Sequence, residues 1–145
     1  MERNELITRL QEVYDQAEGL FNDDKGNEAA ELLKQEIPAI DSVAEIPGAI
    51  ISWLDATSLL ANILLLLSRP EEALEYGRSV YEAAIFYLPD TLEQIYATEL
   101  YASCLNGVGK IEEAKEMFNK ALRGIETEIS EAEVLRDGIK EKLSD

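Results

Sequence analysis

The sequence predicts an all-α protein of three helical hairpins followed by one further helix, about seven helices in all. Two observations carry this prediction. Apolar residues recur at three- and four-residue steps through most of the chain, and segments rich in proline, glycine or acidic residues interrupt them. Alanines also pair twelve positions apart three times in register, which indicates an internal repeat.

The first hairpin is predicted around the polar turn at residues 22–27, with Pro38 kinking or ending its second helix. The helix that follows has so wide an apolar face that we expect it at the centre of the protein. Three capping boxes are predicted, at Ser68/Glu71, Asp90/Glu93 and Ser130/Glu133. The predicted bounds are residues 3–45, 49–88 and 90–127 for the hairpins and about 130–144 for a C-terminal capping helix.

Charge and composition narrow the function. The 145 residues suggest a single domain over residues 1–145, and 30 acidic against 13 basic residues give a net charge of −17. Such a surface repels phosphate backbones and anionic membranes, so we expect no nucleic-acid or membrane binding. A basic or amphipathic polypeptide is the partner that fits this field.

Other features of the sequence favour a cytoplasmic location. The N-terminus lacks the apolar core of a signal peptide, and the most apolar run, residues 58–68, is too short to span a bilayer. Cys104 is the sole cysteine, so no intramolecular disulfide can form. We expect Cys104 to be a small core residue rather than a reactive thiol.

Catalysis is not predicted. The chain has no histidine, and therefore lacks the commonest general base and the commonest transition-metal ligand. Carboxylate pairs such as Glu112 and Glu116 are explained by a solvated helix face. The glycines and lysine of residues 107–110 lack the remainder of a phosphate-binding loop and are interpreted as a hairpin turn. We expect no enzyme activity, no cofactor and no metal.

The internal repeat has a geometric explanation. Two antiparallel helices joined by a short turn cross where small residues let them approach, and a leucine follows the first alanine of each pair by three residues. The copies begin 44 and 41 residues apart. The alanine pairs are Ala17 and Ala29, Ala61 and Ala73, and Ala102 and Ala114.

The clearest copy, residues 101–122 (Y-A-S-C-L-N-G-V-G-K-I-E-E-A-K-E-M-F-N-K-A-L), resembles part of a tetratricopeptide repeat (TPR). The resemblance covers about residues 6–126 and implies a right-handed superhelical array of three TPR-like hairpins plus the capping helix. The usual repeat has about 34 residues, so the longer spacing leaves HEAT-like or other helical-hairpin solenoids as alternatives. Gly77 replaces the large residue seen as Leu33 and Phe118 in the other copies. It marks either a close helix contact or a gap that Tyr81 or Phe86 fills.

The resemblance further implies that the first helix of each hairpin lines a concave groove. Asn62 and Asn106 are the residues expected to hold a peptide backbone, and Tyr14 and Tyr96 to provide aromatic anchors. Some TPR proteins use Lys, Arg and Asn at these positions to bind the terminal carboxylate of a peptide. No Lys or Arg occurs at these positions here, which argues against such a site. The predicted groove residues are Tyr14, Glu18, Asp55, Asn62, Tyr96, Glu99 and Asn106.

Two functional hypotheses follow. The first is a non-catalytic protein–protein interaction module, or a small chaperone or adaptor, that binds a basic or amphipathic peptide in the groove. The alternative is a self-assembling, homodimeric structural helical-repeat protein without a peptide ligand.

Overall fold

The computed structural model describes residues 3–125 and 133–144, and within these ranges it contains helices and no strand, as the sequence predicts. Eight helices lie in the described residues. They are α1 (Arg3–Asn22), α2 (Gly26–Glu36), α3 (Ile40–Ala44), α4 (Ala49–Leu66), α5 (Pro70–Tyr87), α6 (Leu92–Gly107), α7 (Ile111–Ile125) and α8 (Glu133–Ser144).

The long helices pair as three hairpins, α1 with α2, α4 with α5 and α6 with α7. The first helices also lie side by side, because α4 contacts both α1 and α6. The second helix of each hairpin packs against the first helix of the next, α2 on α4 and α5 on α6. This packing confirms the predicted all-α array of helical hairpins. Helix α8 packs on α7 at the C-terminal end of the array.

The six alanines that define the repeat are all buried, with at most 1% of their surface exposed. Each turn between the paired alanines is closed by a backbone hydrogen bond of the same type. The amide of Lys25 donates to the carbonyl of Leu20, that of Arg69 to Leu64, and that of Lys110 to Leu105, at 2.8, 2.8 and 2.9 Å. The residue before each donor, Asp24, Ser68 or Gly109, has a positive φ of 61°, 60° or 85°. All three turns therefore end their first helix with the same left-handed cap.

Two of the predicted capping boxes are wrong. Ser68 closes α4 in the left-handed conformation, and Arg69 is the N-cap of α5 without a side-chain cap hydrogen bond. At α6 the cap lies one residue later than predicted, because the Thr91 hydroxyl accepts from the Gln94 amide at 3.3 Å. The predicted box at Ser130/Glu133 begins outside the described residues.

The additional helix, α3, arises where Pro38 ends α2. Ile37 takes an extended conformation (φ −76°, ψ 119°), as a residue before proline should. The indole Nε1 of Trp53 donates to the Pro38 carbonyl at 2.9 Å and ties this connection to α4. Val43 of α3 is fully buried. The extra length of the first repeat is therefore packed onto the core.

Gly77 marks a close helix contact, which decides between the two alternatives left by the sequence. A Cβ at this position would lie 2.8 Å from the Sγ of Cys104 on α6. Tyr81 instead stacks on Tyr101, with ring centres 5.0 Å apart, and Phe86 is 76% exposed. Cys104 is fully buried, and burial raises the pKa of its thiol to about 12, which confirms its assignment to the core.

The wide apolar face of α4 matches its position, since α4 contacts α1, α2, α3, α5 and α6. Its 18 residues have a mean hydropathy of 1.8, so among the described helices this one passes a membrane-span test by length and composition. The apolar run at residues 58–68 is shorter than helix α4, so the sequence prediction underestimated the length of this apolar helix. Half of this 18-residue stretch is buried inside the array, and the core helix of a soluble protein has the same length and composition.

Candidate functional site

The first helices α1 and α4 border a small open cavity of about 100 Å³. Tyr14 of α1 is partly buried beside it, and Asp55 of α4 faces it from the other side. Helical spacing places Tyr14 and Gln11 on the same side of α1, because residues three apart share a face. The cavity is lined by Leu10, Gln11, Tyr14, Asp15, Ser52 and Asp55.

Burial and nearby carboxylates shift the pKa values of Tyr14 and Asp55 at this cavity. Partial burial raises the pKa of Asp55, and the charge of Glu93 on α6 raises it further, although Asp55 still reaches the surface. The pKa of the Tyr14 hydroxyl is raised by burial first, and then by Glu18, Asp55 and Asp15. Each shift has the sign expected when neighbouring groups carry negative charge.

These four carboxylates, Asp15, Glu18, Asp55 and Glu93, are here called the acidic surface. Within residues 3–125 and 133–144 none of them forms an ion pair within 4.0 Å. In the same part of the chain, no three acidic or cysteine side chains converge closely enough to hold a metal ion. The arrangement is therefore a spread negative field over α1, α4 and α6.

Three of the predicted groove residues, Tyr14, Glu18 and Asp55, are brought together by the structure. Tyr96 of α6 is 50% exposed. Asn62 and Asn106 are exposed as well, and their side chains take part in no hydrogen bond recorded among the described residues. Asn106 lies beside the turn after α6, since Gly109 donates its amide to the Asn106 carbonyl at 3.1 Å.

Glu99 does not face open solvent as the prediction assumed. Its carboxylate Oε1 accepts a hydrogen bond from the ammonium of Lys142 on α8, and only 17% of its side chain is exposed. Ser103 of α6 joins the same contact, with its Oγ 3.3 Å from the Lys142 Nζ. One end of the predicted groove is therefore covered by the C-terminal helix.

Asp15, Glu93 and Lys142 were not among the predicted groove residues. Asp15 directly follows Tyr14 and lies three residues before Glu18. A helical wheel of α1 therefore places Asp15 close to both residues. Glu93 was assigned to a capping box, which drew attention away from its charge. Lys142 has no signal in the sequence, because its role depends on where α8 docks.

Side-by-side first helices that carry polar surface groups, backed by second helices and joined by one repeated turn, define a helical-repeat scaffold. The tetratricopeptide repeat family model matches residues 54–127, slightly more than half of the chain. The chain belongs to the tetratricopeptide repeat family, which also decides against a HEAT-like solenoid. No curated protein matches it.

The matched region begins within α4 and includes α5, α6 and α7, the second and third hairpins. Repeats of this family typically serve as non-catalytic protein–protein interaction modules. Membership therefore implies that this chain binds protein partners in general.

Proposed function

We propose that the chain is a non-catalytic adaptor or small chaperone that binds a basic or amphipathic peptide along α1, α4 and α6. The observation that carries this proposal is the acidic surface, whose four carboxylates lack a counter-charge within the described part of the chain. A cationic ligand relieves their mutual repulsion. A salt bridge made inside the chain would have removed that driving force.

The cavity between α1 and α4 adds shape to this charge. Tyr14 offers an aromatic ring at its edge, and Leu10 an apolar floor. A side chain of the peptide that enters there brings its flanking Lys or Arg residues near Asp55 and Glu18. Long-range attraction of this kind accelerates association and weakens as salt rises, because ions screen charges over about 8–10 Å.

The test is a peptide array of graded positive charge, followed by titration of the best binder at two salt concentrations. The variant Asp55→Asn should weaken binding by about two- to fivefold, the magnitude expected for one surface charge pair. Asp41→Asn removes the same charge from α3 and is the matched control. Equal weakening by the two substitutions would mean that only net charge matters, which would contradict a site on α4.

The asparagine assignment needs its own test. Asn62→Ala and Asn106→Ala should each weaken the same peptide if their amides hold its backbone. Both side chains are exposed on helices, so neither substitution should lower the unfolding midpoint. Unchanged peptide affinity in both variants would restrict the binding surface to the region around Tyr14 and Asp55.

Self-assembly is the alternative proposal, and one observation favours it. Phe86 is 76% exposed at the end of α5, next to the exposed Ile85 and Tyr87. Such an apolar patch suits contact with a second copy of the chain. Sedimentation of the wild type against Phe86→Ser tests this, with Ile111→Ser at another exposed apolar position as the control. A wild-type monomer at high concentration would exclude the alternative.

A further inference from the structure

Helix α8 docks through one narrow face. Ile139 is 1% exposed and joins the apolar cluster formed by α6 and α7, and Leu143 packs against the same cluster. Lys142 lies three residues after Ile139, so helical spacing places it on this face. Lys142 therefore lies beside these two aliphatic residues, with 49% of its side chain exposed.

The ammonium of Lys142 meets three groups that together suit a cation. It donates to Glu99 Oε1 and to Ser103 Oγ, the latter at 3.3 Å, while Ser103 donates to the same carboxylate at 3.3 Å. Its Nζ also lies 5.9 Å from the centre of the Phe118 ring, within the range of a cation–π contact. Glu99, Ser103 and Phe118 are here called the lysine socket.

The lysine socket and the acidic surface both include residues of α6. Glu93, the half-exposed Tyr96 and Glu99 follow one another at three-residue steps along this helix. A peptide that follows this helix away from Asp55 would reach the socket next. In this structure the chain's own lysine occupies it.

Two features favour release of α8. Gly138 lies inside α8 with open space where a Cβ would be, so the helix carries a weak position that no contact requires. Partial burial also lowers the pKa of Lys142, the direction expected when an ammonium loses part of its hydration.

We propose that the lysine socket is a binding site for a lysine side chain of a partner protein, and that α8 is its displaceable internal occupant. The proposal rests on the peptide-binding function above and names the ligand chemistry. By analogy with Ile139, Lys142 and Leu143, the partner segment is an amphipathic helix. It carries a lysine with an aliphatic residue three positions before it and another directly after it.

The probe is a fluorescently labelled synthetic peptide of residues 133–144, titrated against full-length chains by anisotropy. Lys142→Gln in the chain removes the internal ammonium, and this variant should bind the peptide about tenfold more tightly than the wild type, because internal competition is lost. Lys140→Gln, at an exposed position of α8, is the matched control and should bind like the wild type. Gly138→Ala should weaken binding, because a more stable α8 competes better.

Three further measurements tie any gain to the socket. Adding Glu99→Gln to the Lys142→Gln chain should abolish the gain, and a peptide carrying Lys142→Gln should lose affinity for the wild-type and Lys142→Gln chains. In the wild type, excess peptide should speed hydrogen exchange of the α8 amides. Circular dichroism confirms that each variant is folded. Equal peptide affinity of the wild-type and Lys142→Gln chains, or equal binding of both peptides, would overturn the proposal.

The outcomes also separate this proposal from the proposed function. If peptides from the array bind and Lys142→Gln does not alter their affinity, the lysine socket is wrong and peptide binding on the acidic surface stands. If the peptide of residues 133–144 enters the socket but no array peptide binds any chain, the proposed function fails. The role of α8 as a competitor of partner proteins then fails with it.

Discussion

The substitution Gly77→Ala tests how closely α5 and α6 are packed. The new Cβ would lie 2.8 Å from Cys104 Sγ, whereas non-bonded heavy atoms prefer roughly 3.5–4.0 Å. Either the two helices separate by about 1 Å or the thiol rotates away from the Ala73 carbonyl, its neighbour at 3.5 Å. Overpacking of this kind costs about 1–3 kcal/mol, and the gain in helix propensity returns about 1 kcal/mol. We expect a net loss of about 1 kcal/mol.

A double-mutant cycle isolates the cause. In a Cys104→Ala background the thiol is gone, and the next atoms lie 3.5 Å and 3.8 Å from the new Cβ, which is ordinary contact. There Gly77→Ala should stabilise the protein by about 0.5–1 kcal/mol through helix propensity. The assay is urea unfolding followed by circular dichroism, with the change read from the midpoint at constant slope.

Gly19→Ala is the matched control, since Gly19 lies inside α1 with nothing within 4 Å of a new Cβ. It should stabilise the wild type by about 0.5–1 kcal/mol. If Gly77→Ala stabilises the wild type as much as Gly19→Ala does, the close contact between α5 and α6 is refuted. The same holds if the cycle shows no coupling between Gly77 and Cys104.

Three other predictions concern single groups. Burial holds the folded pKa of Cys104 at about 12, so the thiol should resist thiol reagents at pH 8. Stability should also fall as pH rises above about 9, because the unfolded thiol ionises first; urea melts of wild type and Cys104→Ala across pH 7–10 check this. The pKa of Asp55 is raised by burial and then by Glu93, so Asp55→Asn should stabilise by a few tenths of a kcal/mol at pH 7. That advantage should shrink as the pH falls below the raised pKa of folded Asp55, because the wild-type carboxyl then takes up its proton; urea melts of the wild type and Asp55→Asn at neutral and acidic pH check this. Trp53→Phe removes the hydrogen bond to the Pro38 carbonyl and should cost about 1 kcal/mol in urea unfolding; an unchanged midpoint would show that the bond contributes nothing.

Periodicity predicted the long helices well, because burial of one helical face leaves a direct trace in the sequence. The alanine pairs were equally informative, since Ala61 and Ala73 are small for a reason that acts within one hairpin. Helix ends were harder. Ser68 suits an N-cap by composition, yet the preceding helix uses it as a left-handed terminator. Composition at a turn does not reveal which of two adjoining helices a residue serves.

The candidate site divides in the same way. Tyr14 and Asp55 could be assigned to one surface from the sequence, because their helices and facing positions follow from the repeat. The sequence placed Glu99 on the correct helix. Its contact with Lys142 could not be predicted, because Lys142 lies 43 residues further along the chain and no local sequence pattern indicates that contact. The short helix α3 was missed because five residues are too few to show a period.

The three identical turns have a consequence for how this chain can change. Asp24, Ser68 and Gly109 share a backbone conformation but not a side chain, and the hydrogen bond that closes each turn joins main-chain atoms only. The three hairpins therefore share a turn geometry that different residue types can adopt. A whole hairpin with its turn is thus a transferable unit, and the array is open to lengthening or shortening by such units.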